Sequence, residues 1–184
     1  MAVNRGKQFE DVVQECFEKT PNVSVDRLHD QTTGYVGSSN VCDFIVYRKP
    51  RIYYIECKSV HGNTLSIHSV PKLNKRGKLQ GFYGNISDKQ WEGLLEKSKI
   101  DGAIAGIMCW WIDHDVTLFI PIGLLADARK FGYKSIRYDF NLSKVIMGND
   151  LKVGKCVQPI AVSGMKKRVF FDYDMESFLQ EVSK

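Results

Sequence analysis

Two β-rich runs around one basic, proline-containing turn constrain this chain more than any other feature. Cys42 to Tyr47 and Ile52 to Lys58 flank Arg48-Lys49-Pro50-Arg51, so the pair is predicted to form an antiparallel hairpin. Side chains alternate along a strand. In the second run Tyr53, Ile55 and Cys57 therefore share one face and can enter a core, while Tyr54, Glu56 and Lys58 share the other. Glu56 and Lys58 then stand about 7 Å apart along the strand, from a rise of ~3.4 Å per residue. Asp43 lies at the start of the first run, and a tight turn at 48–51 can bring it close to Glu56.

The rest of the chain supplies what such a hairpin needs around it. Phe9, Val12, Val13, Cys16 and Phe17 form one apolar stripe, which predicts a helix over Arg5 to Lys19 with Asn4 as N-cap and Pro21 as terminator. Val23 to Val25 reads as a short strand and the Gly/Ser/Thr-rich stretch Asp30 to Asn40 as a loop. Pro71 to Gly84 lacks apolar periodicity and reads as a basic loop. Ser87 to Lys97 is a helix with capping-box spacing between Ser87 and Gln90. Ala103 to Trp111 is a central strand pairing with Val116 to Ile120, Pro121 to Phe131 a helix stopping at Gly132, and Val157 to Val162 a strand. The last element is a helix capped by Asp174, with Met175, Phe178, Leu179 and Val182 on one face. The order predicts an α/β fold, a mixed β-sheet flanked by helices, in one domain over residues 1–184.

At 184 residues, 43% hydrophobic and 26% charged, the chain has the composition of a globular protein rather than a disordered or collagen-like one. No apolar run reaches the ~18 residues of a membrane span, and Met1 to Lys7 lacks the apolar core of a signal peptide. Five widely spaced cysteines without a CxxC point to buried thiols in a reducing compartment, so a cytoplasmic location is expected. The net charge of +5 is uneven: residues 172–184 carry −3, leaving +8 on residues 1–171. That basicity suits a nucleic-acid partner.

Two carboxylates and an amine on adjoining strands suit phosphodiester hydrolysis. Carboxylate oxygens hold Mg²⁺, a hard cation that keeps several waters and can polarise a phosphate, lower the pKa of water and stabilise a leaving oxygen. A lysine can orient the attacking water or face the transition-state charge. Asp43…Glu56-x-Lys58 has the form of the PD-(D/E)xK nuclease signature. As text the pattern is weak, and Asp139…Asp150-x-Lys152 competes with it, but that set follows the Gly148-Asn149 turn signal and has no β-rich run before its Asp. Glu10, at the edge of the first helix's stripe, either approaches the same site or is a solvated helix-face residue.

Several ordered blocks resemble the RecU family of Holliday junction resolvases. Asn4-Arg5-Gly6 with Phe9-Glu10 resembles its N-terminal helix, and Ser38-Ser39-Asn40-Val41-Cys42-Asp43 with Glu56-Cys57-Lys58 its catalytic hairpin. Leu79-Gln80-Gly81-Phe82, Ser87-Asp88-Lys89-Gln90, Asp101 to Gly106 and Lys134-Ser135-Ile136-Arg137 resemble later blocks, so the likeness covers roughly residues 4–140. Archaeal Holliday junction resolvases share that core, in which Glu10 matches a helix-one metal-site glutamate. The resemblance implies a restriction-endonuclease-like core, Asp43, Glu56 and the Cys57 carbonyl as metal ligands, and Lys58 as catalytic lysine. Gln90 matches a glutamine beside the active site, a role that competes with its place in the capping box. The chain departs from RecU in one region: only 22 residues separate Thr20 from Asp43, so the junction-entering stalk is shortened or remodelled, for which Gly34 to Asn40 is the candidate.

The expected activity is a metal-dependent, structure-selective endodeoxyribonuclease resolving four-way junctions in recombination and repair, with Mg²⁺ as cofactor and Mn²⁺ able to substitute. The alternatives are a restriction-like or repair endonuclease on duplex DNA, and a DNA-binding accessory protein without catalysis. Arg5, Lys72, Lys75, Arg76 and Lys78 are the expected DNA contacts, the last four also readable as a solvated basic loop. Two matched nicks on opposing strands call for a homodimer, as in the resolvases the chain resembles. Cys109 to Ile112 and the helix bearing Phe178 and Leu179 could supply its interface or belong to the core.

Overall fold

A computed structural model describes residues 4–28, 40–68, 70–77, 79–141 and 158–184. Asn4 accepts a hydrogen bond from the Lys7 backbone N–H and opens α1 (Arg5–Glu18), which buries Phe9, Val13, Cys16 and Phe17. The predicted hairpin is β2 (Phe44–Arg48) and β3 (Arg51–Val60), antiparallel in the register Phe44 to Ile55 and Arg48 to Arg51. β1 (Ser24–Arg27) pairs antiparallel outside β2. On the other side β3 runs parallel to β7 (Ala103–Trp111), which pairs antiparallel with β8 (Val116–Pro121). Including β10 (Ile160–Ala161), the sheet order is β1-β2-β3-β7-β8-β10. A mixed sheet flanked by helices is thus the architecture observed, as the sequence predicts.

Both faces of this sheet are covered, and strand alternation sorts the core between them. Tyr53, Ile55, Cys57, Met108 and Trp110 pack with α1 and the C-terminal helix α4 (Met175–Val182). Ala105, Ile107, Cys109 and Trp111 pack with α2 (Asp88–Ser98) and α3 (Ile122–Lys130). β7 is the near-continuous apolar run expected of a strand buried on both faces. Within it, a Cβ on Gly106 would lie 2.5 Å from the Ile120 carbonyl oxygen, so β8 can approach only a glycine. Trp110, Trp111, Phe178 and Leu179 are all buried, which assigns both apolar segments considered for a dimer interface to the core.

The structure corrects the basic loop. Residues 71–84 largely form a hairpin of β5 (Val70–Leu73) and β6 (Leu79–Tyr83). Its turn is set by Asn74, whose side chain accepts from the Arg76 N–H, and by Gly77 at φ +72°. A ribbon held by its ladder and turn has no need of an apolar stripe, so periodicity misses it. Two further small sheets were also not expected: β4 (Thr64–Ser66) with β9 (Ser135–Arg137), and β11 (Gly164–Lys166) with β12 (Phe171–Tyr173). The proposed strand at Val157 to Val162 contracts to β10 within the described part, and the first short strand shifts to Ser24–Arg27. Lys78, the rival Asp150-x-Lys152 and all but Asn40 of the candidate stalk remnant Gly34 to Asn40 lie outside the described residues.

Candidate active site

The site grows out of the end of the β2–β3 ladder. Just before β2 begins, the Asp43 N–H donates to the Ile55 carbonyl at 3.1 Å, continuing the pairing by one residue. The Asp43 side chain then turns back, and its Oδ2 accepts the Cys57 backbone N–H at 2.7 Å. A loop-borne carboxylate is thereby held against the strand that carries Glu56 and Lys58. The hairpin turn at 48–51 sets this register, as the sequence spacing predicts.

Glu56 is 2% exposed, one of the few buried charged or polar side chains of the described residues. Its Oε1 accepts from Lys58 Nζ at 2.5 Å and from Gln90 Nε2. Strand alternation places Glu56 and Lys58 on the same face, and the flexible lysine stem closes the gap along the strand. Burial, reinforced by the Asp43 and Glu10 charges and opposed by Lys58, pushes the Glu56 carboxyl up to about 8. For Lys58, burial acts to lower the ammonium, but the Glu56 charge, its hydrogen bond and Asp43 outweigh it and hold the lysine above its ordinary value.

Gln90 closes the predicted capping box and also touches Glu56. Its Oε1 accepts from the Ser87 N–H at 3.1 Å, closing the capping box, while its Nε2 donates to Glu56. One amide thus satisfies a helix end with its oxygen and clamps a buried carboxylate with its nitrogen. The approach that makes this possible depends on Gly93, one turn further along α2. A Cβ there would lie 2.5 Å from Val41 Cγ1, so a side chain would force either Val41 or α2 to shift. A glycine costs about 1 kcal/mol relative to alanine in a helix interior, which close packing here offsets.

Glu10 meets a partner the sequence reading missed. Its Oε2 accepts from Arg27 at 2.6 Å, and the same guanidinium reaches Asp11 at 2.5 Å. Arg27 is 12% exposed and ties α1 to β1. No sequence signal linked positions seventeen apart on a helix and a short strand. Even so paired, Glu10 is near enough to act on Glu56 and Cys57 electrostatically. The fully buried Cys57 thiol is pushed well up, by burial first and then by the surrounding carboxylates, which leaves it an unreactive core group.

Among the expected DNA contacts, Lys72, Lys75 and Arg76 are exposed on the β5–β6 hairpin. Arg5 is half-buried at the start of α1, its guanidinium 5.9 Å from the Phe170 ring centroid. Gly6 beside it faces Ser59, the residue after Lys58, so the α1 N-terminus meets the strand that carries Glu56 and Lys58.

Among the described residues no three His, Cys, Asp or Glu side chains gather into a complete metal cage. The donor set fits an ion that does not need one. Mg²⁺ is commonly held by one or two carboxylates, completed by water and substrate phosphate, and the carboxylates of Asp43 and Glu56 are hard oxygen donors of that kind. No helix of the described residues is long and apolar enough to cross a membrane.

No family model and no curated protein matches the chain. Among solved structures, Hjc of Archaeoglobus fulgidus, a Holliday junction resolvase from an archaeal hyperthermophile, is similar at 18% identity, over 65% of this chain and 78% of that one, with a TM-score of 0.42.

Proposed function

We propose that this chain is a metal-dependent endodeoxyribonuclease that resolves four-way DNA junctions. The observation that carries the reading is a buried carboxylate, Glu56, clamped by Lys58 and Gln90 beside an Asp43 pinned to the same strand. A structural surface pair has no need of such burial, and the sequence blocks that resemble RecU-type resolvases include these positions. Asp43, Glu56 and the Cys57 carbonyl would hold Mg²⁺, which supplies Lewis-acid polarisation of the phosphate when bound.

The protein's own groups do the rest. Lys58 keeps its proton and presents positive charge to the phosphoryl oxygens as charge builds on them. Gln90 and Ser87 hold Glu56 in one rotamer, so the donor set is built before substrate arrives. A water oxygen bonds to phosphorus and gives up a proton to solvent, the bond to one bridging sugar oxygen breaks, and that oxygen takes up a proton from solvent. Arg5 and the β5–β6 cations contact the flanking phosphates. Two copies of the chain, paired about a two-fold axis, place one site on each of two opposing strands. We place this activity in recombination and repair in the cytoplasm.

The test is strand-resolved mapping on synthetic four-way junction, flap and duplex DNA with Mg²⁺ or Mn²⁺. Paired symmetric cuts on the junction are expected. Equal cutting of plain duplex would make the chain a restriction-like or repair nuclease, and binding without cleavage in either metal would make it an accessory protein.

A further inference from the structure

The run Lys166-Lys167-Arg168 plays no part in the fold's core, and its placement is informative. It forms the tip of the β11–β12 hairpin, and all three side chains are exposed. Met165, 69% exposed, is the most exposed large apolar residue described and lies beside them. The hairpin itself is firmly rooted. Tyr173 is buried, its hydroxyl 2.8 Å from Thr117 Oγ1, and the Lys167 N–H closes the turn on the Phe170 carbonyl at 2.7 Å.

Its location relative to the catalytic strand follows from three contacts. Lys166 pairs with Asp115, in the turn between β7 and β8, which is where the carboxyl end of β7 lies. β7 runs parallel to β3 with Trp111 opposite Val60, so this is also the end at which β3 emerges after Lys58. Phe170 packs 5.1 Å from Trp110 and beneath Arg5, whose neighbour Gly6 faces Ser59. The β5–β6 hairpin is reached from Leu65 and Ile67, which belong to the core on the α2/α3 side. The β11–β12 hairpin is rooted by Tyr173 in the core on the α1/α4 side. Two basic hairpins thus start from opposite faces of the sheet.

We propose that the β11–β12 hairpin is a second DNA-contacting arm, its cations binding phosphates of the DNA that occupies the Asp43–Glu56–Lys58 site and Met165 contacting sugar or base surface. This rests on the nuclease reading. The ion pairs of Lys166 with Asp115 and of Lys167 with Asp172, at 3.4 Å, are exposed and so weakly held. A phosphate can replace either acid with little loss, and the tip presents three cations without rebuilding the fold.

The experiment titrates fluorescently labelled four-way junction with Glu56→Gln protein, which keeps the DNA uncut, and with the same protein carrying K166A, K167A and R168A. Anisotropy is followed through a salt series, with a melting curve to confirm that the triple variant folds. The log–log salt slope should fall by about 0.9 for each phosphate no longer neutralised, toward 2–3 for three, with binding at least roughly tenfold weaker at moderate salt. Asp115→Asn, which suits the left-handed backbone at φ 53° and releases Lys166, should bind more tightly than its parent. If the parent binds and neither variant changes slope or affinity, the arm is refuted while the nuclease reading stands on its own cleavage test. If binding shows the arm but wild type never cuts, the nuclease reading fails and the arm remains. A parent that binds no DNA overturns both.

Discussion

Glu56→Gln should yield a protein that is more stable and catalytically dead. Glu56 is buried with a pKa of about 8 against an ordinary 4.5. Between those values the folded state holds a proton that the unfolded state has released, so stability falls as pH rises. At 1.36 kcal/mol per pH unit, the fall from pH 5 to pH 8 is about 3 kcal/mol. It is complete once pH passes the folded-state value. Glutamine cannot ionise, yet its oxygen can still accept from Lys58 and Gln90. For a chain of this length the lost penalty corresponds to roughly 6–12 °C in Tm at pH 8.

The assay is thermal unfolding of both proteins in chelator from pH 5 to pH 8, together with junction cleavage in Mg²⁺. Other titrating groups are common to both proteins, so the difference between the two curves isolates Glu56. It should be smallest near pH 5 and open as pH rises. Adding Mg²⁺ should stabilise wild type by linkage and leave the variant where it was. A Tm difference that stays flat across the pH range would refute the argument that burial of this carboxyl opposes its ionisation. Retained cleavage by Glu56→Gln would show that the active site is elsewhere.

Asp43→Asn should abolish cleavage and spare junction binding, read by gel assay and anisotropy on the same preparation. Lys58→Ala should slow single-turnover cleavage by roughly 10²–10³, the range for removing a group aimed at transition-state charge, and a loss below tenfold would exclude that role. Gly93→Ala should lower the cleavage rate at saturating DNA with little change in binding, since it moves Gln90 off Glu56 and touches none of the expected DNA-binding residues; an unchanged rate would mean that Val41 yields instead. Mixed dimers of wild type and Asp43→Asn should nick one strand and leave the junction unresolved, and a strict monomer making paired cuts would overturn the two-fold arrangement.

The legible parts of this chain are those whose physics is local. Asn4, Ser87 and Asp174 cap helices through their own side chains, and the β3 alternation sorts Tyr53, Ile55 and Cys57 from Glu56 with no tertiary information. Asp43 and Glu56 could be brought together on paper because one short turn fixes their register. What escaped has causes of two kinds. The small ribbons β5–β6 and β11–β12 carry no apolar period, so a reading that looks for one sees loops. The Arg27–Glu10 pair and the close approach of Gly93 to Val41 join elements whose relative placement only the packed sheet decides.

The burial of Glu56 belongs to that second kind, and it carries the most weight for function. From the sequence, the Glu56 face of β3 could have looked into solvent, as one face of a hairpin often does. It does not, because α2 and α3 cover that side of the sheet, and Gly93 allows α2 close enough for Gln90 to reach the carboxylate. A buried acid with one lysine and one amide on the same oxygen is a poor stabilising element, since similar volume filled by apolar groups would cost less. The fold tolerates it at the end of the ladder where Asp43 is pinned, on the strand whose carboxyl end lies on the side of the β11–β12 hairpin. Stability is given up where two carboxylates and an ammonium are held together on one strand end, a cost that the proposed phosphodiester hydrolysis would account for.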